Sequence, residues 1–266
     1  MQSQALVAAL LVLGVSVIMT MTGRGGGNFY VPILILCGLP MLQAATTSQF
    51  ILLVTSLTAT VFFAKNRRID WKLALVIDPP TDVMALVGGY YAHLVPVAML
   101  KIIFSALLVL AVIFMLRPVK ERTINKAKRL GYWHRKFGDD GYTINLWLTL
   151  PITAAAGVVA GMTGISCGSF KVPLMALVCG VPMQVAVGTS AAMVAATALM
   201  GLLGHAAAGD FTMTWAVPVG IAAVVGGIAG ARVSLKTKAE TLKKVFAYTT
   251  FAAALFMLAN AWLSKG

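Results

Sequence analysis

The chain states one pattern twice, and in both copies glycine and proline interrupt an apolar run. Met21-Thr22-Gly23 and Met162-Thr163-Gly164 open glycine-rich stretches leading into Phe29-Tyr30-Val31-Pro32 and Phe170-Lys171-Val172-Pro173, at an offset of 141 residues. One inserted residue moves the offset to 142 at Cys37-Gly38-Leu39-Pro40-Met41 and Cys179-Gly180-Val181-Pro182-Met183. The register continues through Thr47-Ser48 against Thr189-Ser190 and Leu100-Lys101 against Leu242-Lys243, and ends at Phe114-Met115-Leu116 against Phe256-Met257-Leu258. A duplication whose copies both carry a broken apolar segment points to a transporter site between two repeats.

The solvent follows from composition. Hydrophobic residues make up 59% of the chain and charged residues 11%, far below the quarter usual in soluble domains. Apolar stretches over 5–22, 42–64, 72–92, 97–116, 144–163, 183–205, 213–235 and 245–263 are near the length that crosses a bilayer as a helix. Two more, 28–38 and 169–180, are too short to cross alone. The net charge of +13 is concentrated in short loops: of 21 Lys and Arg, eight lie in 117–136, four in 65–72 and four in 236–244. That distribution follows the positive-inside rule and excludes nucleic acid as partner; the lipid bilayer takes its place. Cys37, Cys167 and Cys179 form no metal-ligand spacing or disulfide framework, and no cofactor is implied. The N-terminal apolar run reads as a first membrane helix, because it lacks a basic leader and a cleavage site.

Loop charge also sets orientation. With 117–142 in the cytoplasm, 65–71 falls on the same side and 93–96 outside. Loop 206–212, with only Asp210, falls outside and basic 236–244 inside only if each half crosses an odd number of times. That parity makes the halves oppositely oriented, with both termini periplasmic. Either the first long and the short segment of each half both cross, or together they form a re-entrant hairpin. The expected fold is all-α: a polytopic inner-membrane helical bundle of two inverted repeats, each with a Gly/Pro-broken short helical segment. Residues 1–116 are the first repeat, 117–142 a basic cytoplasmic connector and 143–266 the second repeat.

The breaks supply the candidate site. Gly23 to Asn28 cannot hold a good helix, and unwound backbone at membrane depth survives only when buried in protein or facing water. A helix restarting at Asn28 presents free N–H groups and the positive end of its dipole, which suits an anion. Gly25, Gly26, Gly27 and Asn28 in the first copy, and Ser166, Gly168 and Ser169 in the second, are the candidate cradle. Arg24 and Lys171 add positive charge at non-equivalent positions, Arg24 aligning with Ile165 and Lys171 with Tyr30. Thr47, Ser48, Thr189 and Ser190 offer hydroxyl donors to a partly dehydrated oxyanion. Asp78 and Asp82 flank Pro79-Pro80 within an expected span; they are candidates for proton coupling or for pairing with Arg24 or Lys101. His93, His134 and His205 are expected to be solvated or interfacial.

The doubled glycine-rich break with Phe-x-Val-Pro, then Gly-[Leu/Val]-Pro and Thr-Ser, resembles the sulfite exporter TauE/SafE family of bacterial permeases over almost the whole chain. The resemblance implies an inner-membrane carrier of sulfite, sulfonates or other sulfur-containing organic anions. The second break, Gly-Ile-Ser-Cys-Gly-Ser, is less glycine-rich than the first and departs from strict symmetry. The expected function is a secondary transporter for a small sulfur-containing anion, with an anion channel as the alternative. No HExxH, GxSxG or GxxxxGK[ST] pattern occurs, so neither an enzyme nor an ATP-driven pump is expected.

Overall fold

The computed structural model describes residues 2–96, 130–138, 140–208 and 213–263, together with positions 99, 102 and 106. Lys101, most of the expected span 97–116, connector residues 117–129 and Asp210 lie outside the described residues. The elements run α1 (Gln2–Met21), α2 (Gly27–Leu36), α3 (Met41–Lys65), α4 (Trp71–Ile77), α5 (Pro79–Tyr91), β1 (Tyr132–Phe137) and β2 (Asp140–Asn145). They continue as α6 (Leu146–Thr163), α7 (Gly168–Pro173), a π-helical turn (Leu174–Val178), α8 (Met183–Ala207), α9 (Met213–Lys236) and α10 (Ala239–Leu263). Among the described residues, four helices are long and apolar enough to cross a membrane: Met41–Lys65, Leu146–Thr163, Met183–Ala207 and Trp215–Lys236. The expected span over 72–92 is split, because Pro79-Pro80 cannot donate into a continuous helix; α4 ends at Ile77 and α5 restarts on Pro79.

The molecule sorts its residues as a bilayer demands. Leu6, Leu10 and Ile221 are each 65% exposed and Leu75 73%, whereas Thr46, Thr47, Ser48, Gln49, Thr55 and Ser56 are buried. Water would favour the reverse; hydrocarbon favours apolar side chains outward and polar ones against each other.

Helix directions follow from glycine contacts. A Cβ on Gly226 would meet the Leu13 carbonyl and one on Gly230 the Val17 carbonyl, while Ser234 Oγ donates to the Met21 carbonyl at 2.8 Å. The partners ascend together, so α1 and α9 run parallel. Gly157 against Thr81 and Gly161 against Ala85 make α5 and α6 parallel in the same way. Gly88 packs on Val158 as Gly230 packs on Val17, and the two contacts are related by the sequence register. Backbones come this close only where side chains are small, the usual packing of helices in lipid.

The basic loops gather at one end. Arg68 donates from Nη1 to Gln184 Oε1 at the start of α8, and Gln184 Nε2 donates to the Thr237 carbonyl at 3.4 Å. The third basic segment contributes an antiparallel hairpin that the apolar pattern does not announce. Its Arg135 and Tyr142 are cross-strand partners, and both reach Asp70 ahead of α4. Trp71 and Trp147, exposed at the first turns of α4 and α6, flank this end as interfacial anchors do.

Candidate functional site

The two breaks meet. In the first, Gly23, Gly25 and Gly26 have φ of 73°, 71° and 102°, left-handed conformations that any other residue adopts at a cost. Gly27 begins α2 so close to the second break that a Cβ there would lie 2.6 Å from Ser166 N and 2.8 Å from the Gly164 carbonyl oxygen. Its register mate Gly168 does the same in reverse, at 2.8 Å from Arg24 Cα and 2.9 Å from the Gly23 carbonyl oxygen. Asn28 Nδ2 donates to Ser169 Oγ at 2.7 Å, joining two residues that are themselves 141 positions apart. Ser166 Oγ accepts from Gly168 N at 3.2 Å, an internal cap on the second break.

The Thr-Ser pairs divide their work unequally. Ser48 Oγ donates to the Gly164 carbonyl at 2.8 Å, and Thr189 Oγ1 accepts from Asp70 N at 3.0 Å. Thr47 Oγ1, Ser190 Oγ and Asn28 Oδ1 are buried with no hydrogen-bond partner among the described residues. A Cβ on Gly168 would lie 3.1 Å from Ser190 Oγ, so that hydroxyl sits at the break junction. Buried polar atoms normally find partners, and Ser190 Oγ and Asn28 Oδ1, beside the two unwound segments, have none among the described residues.

Arg24 and Lys171 are both 1% exposed, so neither snorkels to an interface. They serve different neighbours. Arg24 donates from Nε to Thr22 Oγ1 at 3.1 Å and from Nη2 to Thr249 Oγ1, and its guanidinium lies 4.0 Å from the centre of the Phe246 ring on α10. Lys171 Nζ donates to Asp78 Oδ1 and, at 2.8 Å, to Thr197 Oγ1; the Thr197 hydroxyl in turn donates to Asp82 Oδ1 at 2.8 Å. For Asp78 the expected partner Arg24 is therefore corrected to Lys171, while Lys101 lies outside the described residues. Asp78 closes α4 just ahead of Pro79, and the turn this forces aims Asp78 at Lys171 on α7 and Asp82, on α5, at Thr197 on α8.

His205 also departs from expectation. It is fully buried, with Nε2 2.8 Å from the Gly161 carbonyl, because glycines let α5, α6 and α8 close around it. His93 and His134 are exposed as expected. The sequence reading missed Thr197, whose signal was its register match to Thr55. Gln49, in the same polar run as Thr47 and Ser48, donates to the Ala160 carbonyl at 2.8 Å. Asp70, Arg135 and Tyr142 were missed with the hairpin, although alternating aromatic and β-branched residues around Gly138 and Gly141 are a hairpin signal.

Comparison with known proteins agrees in kind. A family model described as sulfite exporter TauE/SafE matches residues 7–257. The chain is 27% identical over 248 residues to the probable membrane transporter protein YunE of Bacillus subtilis (strain 168), covering 88% of this chain and 90% of that one. It is 30% identical over 109 residues to the probable membrane transporter protein YdhB of the same organism, covering 41% and 44%. No solved structure matches the chain.

Proposed function

The chain belongs to the sulfite exporter TauE/SafE family of membrane transporters, and on that premise we propose that it is a secondary carrier of a small sulfur-containing anion, sulfite or an organosulfonate, working by alternating access between two inverted repeats. The observation that carries the proposal is the junction of the two breaks, where Asn28 and Ser169 bond across the register and Ser190 Oγ and Asn28 Oδ1 are buried with no partner among the described residues. Hydroxyls of Thr47 and Ser190 donate to an oxyanion. The Asn28 amide does so by turning its oxygen to the Ser169 hydroxyl, and the break backbone contributes N–H groups. Gly25, Gly26, Gly27, Ser166 and Gly168 shape this cradle, Ser48 and Thr189 brace its walls, and Arg24 supplies fixed positive charge. Moderate, partly neutral donors hold an anion without trapping it, as a carrier requires.

Inversion is supported by direction. The loop at 66–70 turns the chain between α3 and α5, α5 is parallel to α6, α9 is parallel to α1, and Gly220 against Phe50 with Gly227 against Thr55 makes α3 parallel to α9. These directions support a reading in which α1 runs opposite to α6. The basic loops sharing one end match a cytoplasmic placement of that end.

The testing experiment is transport of labelled sulfite and of C2 sulfonates into proteoliposomes. A carrier gives saturable flux and accelerates when unlabelled anion is present on the far side; non-saturating flux without that exchange marks a channel, and no flux of either anion class refutes the substrate assignment.

A further inference from the structure

The buried ion pair next to the second break has no charged counterpart at the register-related place beside the first break. Lys171 aligns with Tyr30 and Thr197 with Thr55, but Asp78 and Asp82 align with Gly220 and Val224. Tyr30 is turned toward Thr55 and Ser16, so the register-related place is neutral. Of the two places, the one where Lys171 of the second repeat meets Asp78 and Asp82 of the first holds an ammonium and two carboxylates, and the other holds none.

We propose that anion binding and proton uptake are a single event at Lys171 and Asp78, making the protein a one-proton, one-anion symporter. The inference rests on the anion-carrier reading and adds its coupling ion. The argument is one of charge and valence. Lys171 lies one turn beyond Gly168 and is spent on Asp78 and Thr197. Lys171, Asp78 and Asp82 together carry a net charge of −1, so an incoming anion meets a repelling cluster whose one cation is engaged. Burying a second negative charge there is costly at low dielectric. A proton drawn from water onto the Asp78 carboxylate removes both obstacles: it neutralises the cluster and frees Lys171 to face the anion. Lys171 keeps its own proton throughout, and Asp82 stays tied through Thr197.

Among the described residues the surroundings offer no rival titrating group. From α6 no titratable side chain faces α5, and from α8 there is only His205, engaged with the Gly161 carbonyl. Lys72 on α4 and His93 after α5 are exposed, and Cys167 is directed to the Ala156 carbonyl at 3.6 Å. Because the register-related place beside the first break is neutral, the count is one proton per anion, not two.

The test is titration calorimetry of the purified full chain with methanesulfonate, an anion that stays ionised across the working range, in two buffers of different ionisation enthalpy. The expected result is uptake of one proton per anion bound and affinity falling roughly tenfold per pH unit on the alkaline side. Asp78→Asn should bind methanesulfonate with no proton uptake and a flat pH profile, and Asp82→Asn should retain the uptake. Binding by the wild type without proton uptake overturns the inference and leaves the anion-carrier reading intact. Loss of uptake in Asp82→Asn with retention in Asp78→Asn overturns the assignment to Asp78. Failure of methanesulfonate, sulfite and 2-hydroxyethanesulfonate to bind at any pH removes the reading itself, and the inference with it. The wild-type proton count decides the matter even if Asp78→Asn does not fold.

Discussion

Asp70 ties three parts of the chain together with one carboxylate. It caps α4 through Leu73 N at 3.2 Å and receives Arg135 in two-pronged fashion at 2.9 and 2.8 Å, with the Tyr142 hydroxyl beside it. Burial pushes this carboxyl up, but the hydrogen bonds from Arg135, Tyr142 and Leu73 outweigh burial and hold it below its ordinary value of 3.8. A group depressed on folding contributes stability that is complete above its unfolded value and is lost as pH falls through its folded one. The hairpin end should therefore loosen only in acid, below about pH 4. Asp70→Asn should lower thermal stability at neutral pH by about 3–5 kcal/mol, because Arg135 loses its counter-charge, and should flatten that acid limb. Melting curves across pH check both. At Arg24 the expected change is in binding. Arg24→Ala should cost roughly 1.5–3 kcal/mol of anion affinity, about tenfold or more, with Arg24→Lys recovering part of it because the planar fork is lost. Equilibrium binding to the purified variants reads this; a folded Arg24→Ala protein with wild-type affinity contradicts the assignment.

At the scale of elements, the breaks are the joints on which the helices depend. Gly27→Ala places a methyl against backbone of the other repeat, where nothing flexible can yield, so it should lower the melting temperature and abolish transport. Gly14→Ala, with no atom within 4 Å of its Cβ, should instead stabilise α1 by about 0.5–1 kcal/mol. A comparison of the two melting curves separates close packing from general glycine flexibility. Both breaks, the proline split at Asp78 and the Thr-Ser pairs could be located in the sequence, because glycine and proline act on their own neighbours. The destinations of long side chains could not. Lys171 reaches 93 positions back to Asp78, and Arg24 reaches 225 forward to Thr249. Only the fold brings such partners together. The hairpin was legible in principle, yet an eye set to apolar spans passes over twelve polar and aromatic residues between two of them.

The whole molecule is a repeated scaffold on which charge is distributed unevenly. Backbone contacts honour the register: Gly164 packs on Ala45 as Gly23 packs on Val187, and Gly27 meets Gly164 as Gly168 meets Gly23. Charges do not, since neither Arg24 nor any member of the Lys171 cluster has a charged residue at its register position. Loop charge alone carried the orientation, because Lys and Arg are retained on one side of a bilayer whatever the packing.

The claim on which the rest stands is that the two halves point in opposite directions. It is tested most directly by single-cysteine labelling in whole cells, with Cys37, Cys167 and Cys179 first replaced. Ala207, at the end of α8, and Thr237, beyond α9, lie at opposite ends of the molecule. A cysteine at 207 should react with a membrane-impermeant thiol reagent added outside, and one at 237 should react only after the membrane is opened. Labelling of both positions from outside would contradict the inverted repeat.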